Sequence, residues 1–420
     1  MHVPKLPELL ASKPLYYKEI DHKRIHHAYA RLKPHIHRPK TVHIVGTNGK
    51  GSTGRIIAHL ALHGKLEMKV GHYTSPHILK FNERIWLNGA DASDEVLENA
   101  HKRFYGILGE AMSEGLSYFE YTTLLALVVF EHCDLMVLEA GLGGEHDATN
   151  VCEKELSVFT PIGIDHQAFL GENIEEIAAT KLRSIQTRAL LAPQPYDEVI
   201  KVAQHIAKEK NATLYLADSV GCCPPTTPIE YGHHKLTHTK GAVRAQHPTV
   251  YKQIEQIAKE KGWPAYLVDN AMVACQALDI LGIAYTIDAL KTLELFGRFY
   301  PLRENIYLDV GHNPLAAKVI VASMKPETVL IYNSLDDKDY EAVLDILKPK
   351  LKRIEIITID SQRAATREAI ESAVKATGLP YRYFDGTIDS KEHYLVFGSF
   401  YVVEAVLRTL GVRDRIESGE

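Results

Sequence analysis

The chain has 420 residues, 45% of them apolar and 24% charged, with a formal net charge of −5. That length exceeds one ordinary hydrophobic core and implies two or three domains of a soluble globular protein, while the acidic balance gives no basic footprint for nucleic acid. No apolar leader opens the chain and no apolar run reaches about 18 residues, so neither export nor a membrane span is indicated. The five cysteines, Cys133, Cys152, Cys222, Cys223 and Cys275, lack metal-ligand spacing and point to a reduced cytoplasmic compartment.

Residues 1–40 read as polar and helical, with Ile20-Asp21-His22-Lys23-Arg24 near the start of one helix. The apolar run at 41–45 reads as a buried strand. It leads into Gly46-Thr47-Asn48-Gly49-Lys50-Gly51-Ser52-Thr53 and a helix over 54–63. Strand, glycine-rich turn and helix form the geometry that holds nucleotide phosphates. Glycines let backbone N–H groups turn inward, and the helix N-terminus adds partial positive charge. Lys50 can reach terminal phosphates, and Ser52 or Thr53 can face a magnesium ion. The loop departs from the common G-x-x-x-x-G-K-[ST] pattern, with Ile44 in place of glycine and Gly51 in place of Ser or Thr. A glycine-rich turn without a ligand is the alternative.

His72-Tyr73-Thr74-Ser75-Pro76-His77 follows one strand-and-helix unit later. The Ser75 hydroxyl is a hard oxygen ligand suited to Mg²⁺, or else part of a Ser-Pro turn. A helix is predicted over 122–132. Strands are predicted at 135–139, ending on Glu139, and at 156–160, followed by Asp165-His166. Glu139 is a metal-holding carboxylate or a helix-capping acid. Imidazole is an unusual magnesium ligand, so chemistry alone favours His166 as an orienting or acid–base group. The alternation of strands and helices predicts a mostly parallel α/β sheet. The loops after strands 41–45, 135–139 and 156–160 then meet in one cleft at the carboxyl ends.

Residues 220–250 give little. Cys222–Pro228 is rich in proline and threonine, and 232–238 is rich in histidine, which suggests a solvated loop over a zinc site. The segment 283–299 bridges to a second alternating block. Strands are predicted there at 304–309, 328–333, 353–359 and 393–397, and helices at 316–324, 340–347 and 367–377. The predicted organisation is a nucleotide-binding domain over 1–287 and a smaller C-terminal Rossmann-like α/β domain over 288–420.

Five motifs occur in order: G-T-N-G-K-G-S; T-S-P-H with F-N-E-R-I behind it; L-E-A-G-L-G-G-E-H-D-A-T-N; I-G-I-D-H; and D-V-G-H-N-P. Together they resemble the folylpolyglutamate synthase/dihydrofolate synthase family of the Mur ligase superfamily, over about residues 41–182 and 296–403. The resemblance implies a Mur-ligase-like P-loop ATPase domain followed by the C-terminal domain, with ATP and Mg²⁺ as cofactors. Thr47, Asn48, Gly49, Lys50, Gly51 and Ser52 would hold the ATP phosphates. Ser75, Glu139 and His166 match the family's magnesium positions. Lys181 aligns with a lysine the family carries as a carbamate, although Thr180-Lys181-Leu182-Arg183-Ser184 replaces E-K-A-G-I and a surface lysine is the alternative. Ser117, Tyr118, Phe119, Glu120, His146, Asp147 and Ala148 match segments that contact the pterin-bearing substrate, with Glu145-His146 where Arg-Leu is usual. Asn270, Arg298 and Asp309 match nucleotide contacts, Arg298 across the domain cleft, and His312 would lie near the phosphates.

The implied reaction is ATP-dependent addition of L-glutamate to dihydropteroate, to tetrahydrofolate, or to both, through an acyl phosphate. Domain closure would precede chemistry, and the enzyme would be a cytoplasmic monomer. A Mur-type ligase on another carboxylate, and a nucleotide-binding homologue without ligase activity, are the alternatives.

Overall fold

A computed structural model describes residues 3–14, 21, 23–64, 67–217 and 247–412. The readings placed on Ile20, His22, 222–228 and 232–238 lie outside the described residues. The chain divides into two compact units. The first comprises Met1–Ser75, Phe81–Ile257 and Asp269–Leu293, and the second Pro76–Lys80, Ala258–Val268 and Glu294–Glu420. Among the described residues no helix is long and apolar enough to cross a membrane.

Among the described residues the first unit carries eight strands: β1 (Lys40–Val45), β2 (Val70–Tyr73), β3 (Ile85–Leu87), β4 (Ala90–Asp91), β5 (Leu135–Glu139), β6 (Leu156–Phe159), β7 (Arg188–Leu191) and β8 (Thr213–Leu216). Their order in the sheet is β4-β3-β2-β5-β1-β6-β7-β8. The pairs β2/β3 and β3/β4 are antiparallel and the rest parallel. β5 and β6 are buried along their whole length, as continuous apolar runs in a parallel sheet should be. One core gathers the helices Arg24–Leu32, Asp94–Leu108 and Tyr118–Val129 with β2, β3 and β5. Another gathers the helices Ile174–Leu182 and Asp197–Glu209 with β6 and β7.

In this unit two helices start four residues earlier than predicted. The helix after β1 spans Lys50–Leu62, so the second half of the glycine motif is its first turn. The helix predicted from 122 starts at Tyr118, because Ser117 and Glu120 form a capping box. The Ser117 hydroxyl accepts the Glu120 N–H at 3.1 Å, and the Glu120 carboxylate accepts the Ser117 N–H at 2.8 Å.

The second unit holds β9 (Tyr300–Arg303), β10 (Ile306–Leu308), β11 (Thr328–Tyr332), β12 (Leu351–Ile356), β13 (Tyr381–Tyr383) and β14 (Tyr394–Phe397). Their order is β13-β12-β11-β14-β10-β9, parallel except for the β9/β10 pair. The strand predicted at 304–309 is therefore the second arm of a hairpin that turns at Glu304-Asn305. The helices Pro314–Ile320, Tyr340–Leu347 and Arg367–Ala376 fall where helices were predicted. The molecule is thus an α/β protein with a mostly parallel sheet in each unit.

Candidate functional site

In the first sheet β1 lies between β5 and β6. Three loops remote in sequence, 46–49, 140–147 and 160–166, therefore leave adjacent strands at their carboxyl ends, where α/β sheets bind ligands. β2 pairs with β5 and brings Thr74 and Ser75 to the same edge.

The glycine loop is held from several sides. Gly49 has φ +84°, a left-handed conformation that favours glycine, and an added Cβ would sit 3.0 Å from Asn270 Oδ1. At Gly46 a Cβ would lie 2.0 Å from Thr160 Oγ1. The N–H groups of Thr47 and Asn48 donate to the Pro161 carbonyl at 3.0 and 3.2 Å, and Gly163 N–H donates to Thr47 Oγ1 at 3.0 Å. Thr53 N–H closes a helical bond on Gly49 O at 2.9 Å, and ahead of it lies the positive end of the helix dipole. Asn270 Nδ2 donates to Ser52 Oγ at 2.8 Å.

Two amines meet this loop. Lys50 Nζ donates to the Gly46 and Thr47 carbonyls, both at 3.2 Å, and Lys181 Nζ donates to the Gly46 carbonyl at 3.1 Å. Lys181 is 3% exposed, so it is not a surface lysine. It sits in the last turn of the helix Ile174–Leu182, and Gly144 packs against its backbone so closely that a Cβ there would lie 2.5 Å from Lys181 O.

Glu139 ends β5 and is 3% exposed. The Thr74 hydroxyl donates to its Oε2, and Ser75 follows Thr74 in the same loop. Sequence reasoning passed over Thr74, although it lies inside the T-S-P-H motif. His166 has φ +52°, a left-handed conformation costly for a non-glycine residue and characteristic of functional loops. Its N–H donates to Asp165 Oδ1 at 2.9 Å, and its Nε2 lies 3.9 Å from the same oxygen. Among the described residues no three His, Cys, Asp or Glu side chains converge as a metal cage. A buried carboxylate bonded by a hydroxyl nevertheless fits a small hard cation that keeps several waters and binds phosphate oxygens.

The residues matched to the acceptor divide into two kinds. Ser117, Glu120 and Asp147 organise backbone. Glu120 also pairs with Arg24 at 2.8 Å. Asp147 accepts Leu142 N–H and Thr149 N–H, both at 2.9 Å, and the Thr149 hydroxyl at 2.5 Å. Burial pushes its carboxyl pKa up, and these bonds oppose the shift. Tyr118, Phe119 and His146 present side chains instead. Arg84 lies 5.2 Å from the Tyr118 ring, and His146 is exposed with Nε2 3.9 Å from Glu145 Oε2. Phe119 covers Gly141, where a Cβ would meet its ring at 2.6 Å. Ala148 is buried and opens the short helical turn Ala148–Val151.

In the second unit Asp309 is buried. Its carboxylate accepts the Tyr266 hydroxyl and Phe299 N–H, both at 2.9 Å, and Gly311 N–H at 2.8 Å. Burial raises its pKa, and the Arg298 guanidinium acts against that shift. Asp309 thus pins the turn that carries Arg298, where Gly297 has φ +72° and Phe299 φ +46°. The Arg298 guanidinium lies 5.2 Å from the Phe400 ring. His312 Nδ1 faces the Val310 carbonyl at 3.1 Å, which sets the Nδ1-protonated form when the ring is neutral. Tyr266, 43 residues from Asp309, carried no local signal in the sequence.

A mostly parallel sheet with a glycine loop, two lysines on that loop's carbonyls and a buried acid on the neighbouring strand defines a nucleotide-binding α/β enzyme. No family model matches the chain. It is similar to the crystal structure of Helicobacter pylori folylpolyglutamate synthetase, at 36% identity and a TM-score of 0.74 over 97% of this chain and 98% of that one. E. coli FolC in complex with DHPP and ADP is 25% identical, with a TM-score of 0.76 over 98% and 99% of the two chains. The dihydrofolate synthase/folylpolyglutamate synthase of Haemophilus influenzae is 27% identical over 409 residues, 87% of each chain. The chain belongs to the folylpolyglutamate synthase/dihydrofolate synthase family.

Proposed function

We propose that this chain is an ATP-dependent ligase that joins L-glutamate to a folate-type carboxylate, on dihydropteroate, on tetrahydrofolate, or on both. A carboxylate does not condense with an amine in water, because oxide is a poor leaving group. Transfer of the γ-phosphoryl group of ATP gives an acyl phosphate, the glutamate amine attacks its carbonyl, and inorganic phosphate departs. The observation that carries the reading is the convergence of Lys50 and Lys181 on the Gly46 carbonyl, at 3.2 and 3.1 Å, within the Thr47–Ser52 loop. The Lys50 ammonium there offsets negative charge on the β- and γ-phosphates as the transfer proceeds, and Lys181 is assigned to the same loop.

Asn270 is assigned to the nucleotide through its bond to Ser52. Within the second unit Asp309 holds the Arg298 turn, and Arg298 and His312 are assigned to the phosphates. Ser75, Glu139 and His166 are assigned as holders of a divalent cation, Mg²⁺, which when bound neutralises phosphate charge. Tyr118, Phe119, His146 and the turn organised by Asp147 and Ala148 are assigned to the acceptor. The nucleotide domain spans 1–287 and the C-terminal ligase domain 288–420, in a monomeric cytoplasmic enzyme.

The test is ADP release with ATP and glutamate, in one mixture with dihydropteroate and in another with tetrahydrofolate. Release that depends on either acceptor is expected. ADP release independent of both acceptors, or none in either mixture, overturns the proposal.

A further inference from the structure

Beneath the loop 141–150 lies a buried polar chain that the reaction does not use directly. Lys154 follows the loop and is 6% exposed, and His43 lies in the middle of β1, fully buried. Lys154 Nζ lies 3.1 Å from His43 Nδ1, His43 Nε2 lies 2.8 Å from Thr149 Oγ1, and the Thr149 hydroxyl donates to Asp147 Oδ1 at 2.5 Å.

The proton positions follow from one end. Thr149 spends its proton on Asp147, so its oxygen must accept from His43 Nε2–H. Burial drives the His43 pKa well below the usual histidine value, so the ring is neutral and Nδ1 must accept from Lys154. Lys154 Nζ also donates to Asn150 Oδ1, and Asn150 Nδ2 donates to the Glu145 carbonyl at 2.8 Å. One amine therefore roots two branches. The first runs through Asn150 to Glu145. The second runs through His43, Thr149 and Asp147 to Leu142 N–H.

We propose that Lys154 is a positioning residue for the acceptor, fixing the loop 142–147 through Asn150 on one side and His43 on the other. The inference rests on the reading that this loop takes the folate-type acceptor. Charge strengthens the bonds that Lys154 donates. Burial lowers the Lys154 pKa to about 7, with Lys210 acting in the same direction and Cys152 and Asp147 against it. Above that pH the amine is neutral and both branches weaken.

The test is steady-state kinetics of Lys154→Met, with dihydropteroate and tetrahydrofolate each supplied as acceptor. The acceptor KM is expected to rise about tenfold, as the two bonds that Lys154 donates are lost and the loop loosens. The ATP KM and kcat should stay within about twofold, since the ATP loop has other anchors. The wild-type acceptor KM should rise between pH 6.5 and 8.5, and that dependence should vanish in the variant. Thr149→Val cuts one branch and separates the two ideas. If Thr149→Val raises the acceptor KM and Lys154→Met does not, the role of Lys154 is overturned and the acceptor loop stands. If neither changes it, the loop does not take the acceptor. A parallel rise in both KM values with a fall in kcat would mark a general structural role and also overturn the proposal. Should Lys154→Met fail to fold, a wild-type acceptor KM constant with pH overturns it as well.

Discussion

Lys154→Met should also change how stability depends on pH. Burial lowers the Lys154 pKa from 10.5 to about 7. Between these values the unfolded chain holds a proton that the folded chain has released, so folded stability rises with pH through that window. The slope is at most about 1.4 kcal/mol per pH unit, and the full window is worth about 5 kcal/mol. Below pH 7 the folded state bears the whole cost of a charged, desolvated amine. Methionine has similar bulk and no charge, so the variant lacks this slope. It leaves His43 Nδ1 and Asn150 Oδ1 without this donor, a penalty of about 1–3 kcal/mol each that does not vary with pH, because His43 stays neutral. The measurement is the melting temperature of both proteins by calorimetry at pH 6, 7, 8 and 9. At about 2 °C per kcal/mol for a large unit, the wild type should gain about 5 °C on the variant between pH 7 and 9. A gap constant across that range would show that Lys154 does not titrate there, and the charge argument would fall.

Thr74→Val removes the hydroxyl that donates to Glu139 while keeping the side-chain shape. Turnover should fall about tenfold with the melting temperature nearly unchanged, and wild-type rates of ADP release would exclude Thr74 from the site. Gly311→Ala places a Cβ 2.5 Å from the Phe397 ring and 2.9 Å from both Ala316 Cβ and Asp309 Oδ1. It should destabilise the second unit by about 1–3 kcal/mol, read as a lower melting transition, and an unchanged transition would mean the ring yields without cost.

The framework of the site was legible in the sequence because strand ends announce themselves. The apolar runs of β1, β5 and β6 each stop at a polar or glycine-rich segment, and parallel sheets gather such ends on one edge. The short antiparallel pair β3 and β4 and the edge strand β8 were not read, since two to four residues carry too little periodicity. Ser117 and Glu120 carry a structural signal as well. S-x-x-E is the signature of a capping box, and the fold uses both side chains to start the helix Tyr118–Val129.

Residue types disclosed capacity but not partners. Lys181 meets Gly46 across 135 positions, Asn270 meets Ser52 across 218, and Lys154 meets His43 across 111. None of these pairs has a local signal, because each exists only once the sheet order places its elements side by side. The same order explains why a lysine on a polar-looking helix is buried. The helix Ile174–Leu182 covers the loop that follows β1, so its last turn delivers Lys181 to the Gly46 carbonyl, which Lys50 also reaches.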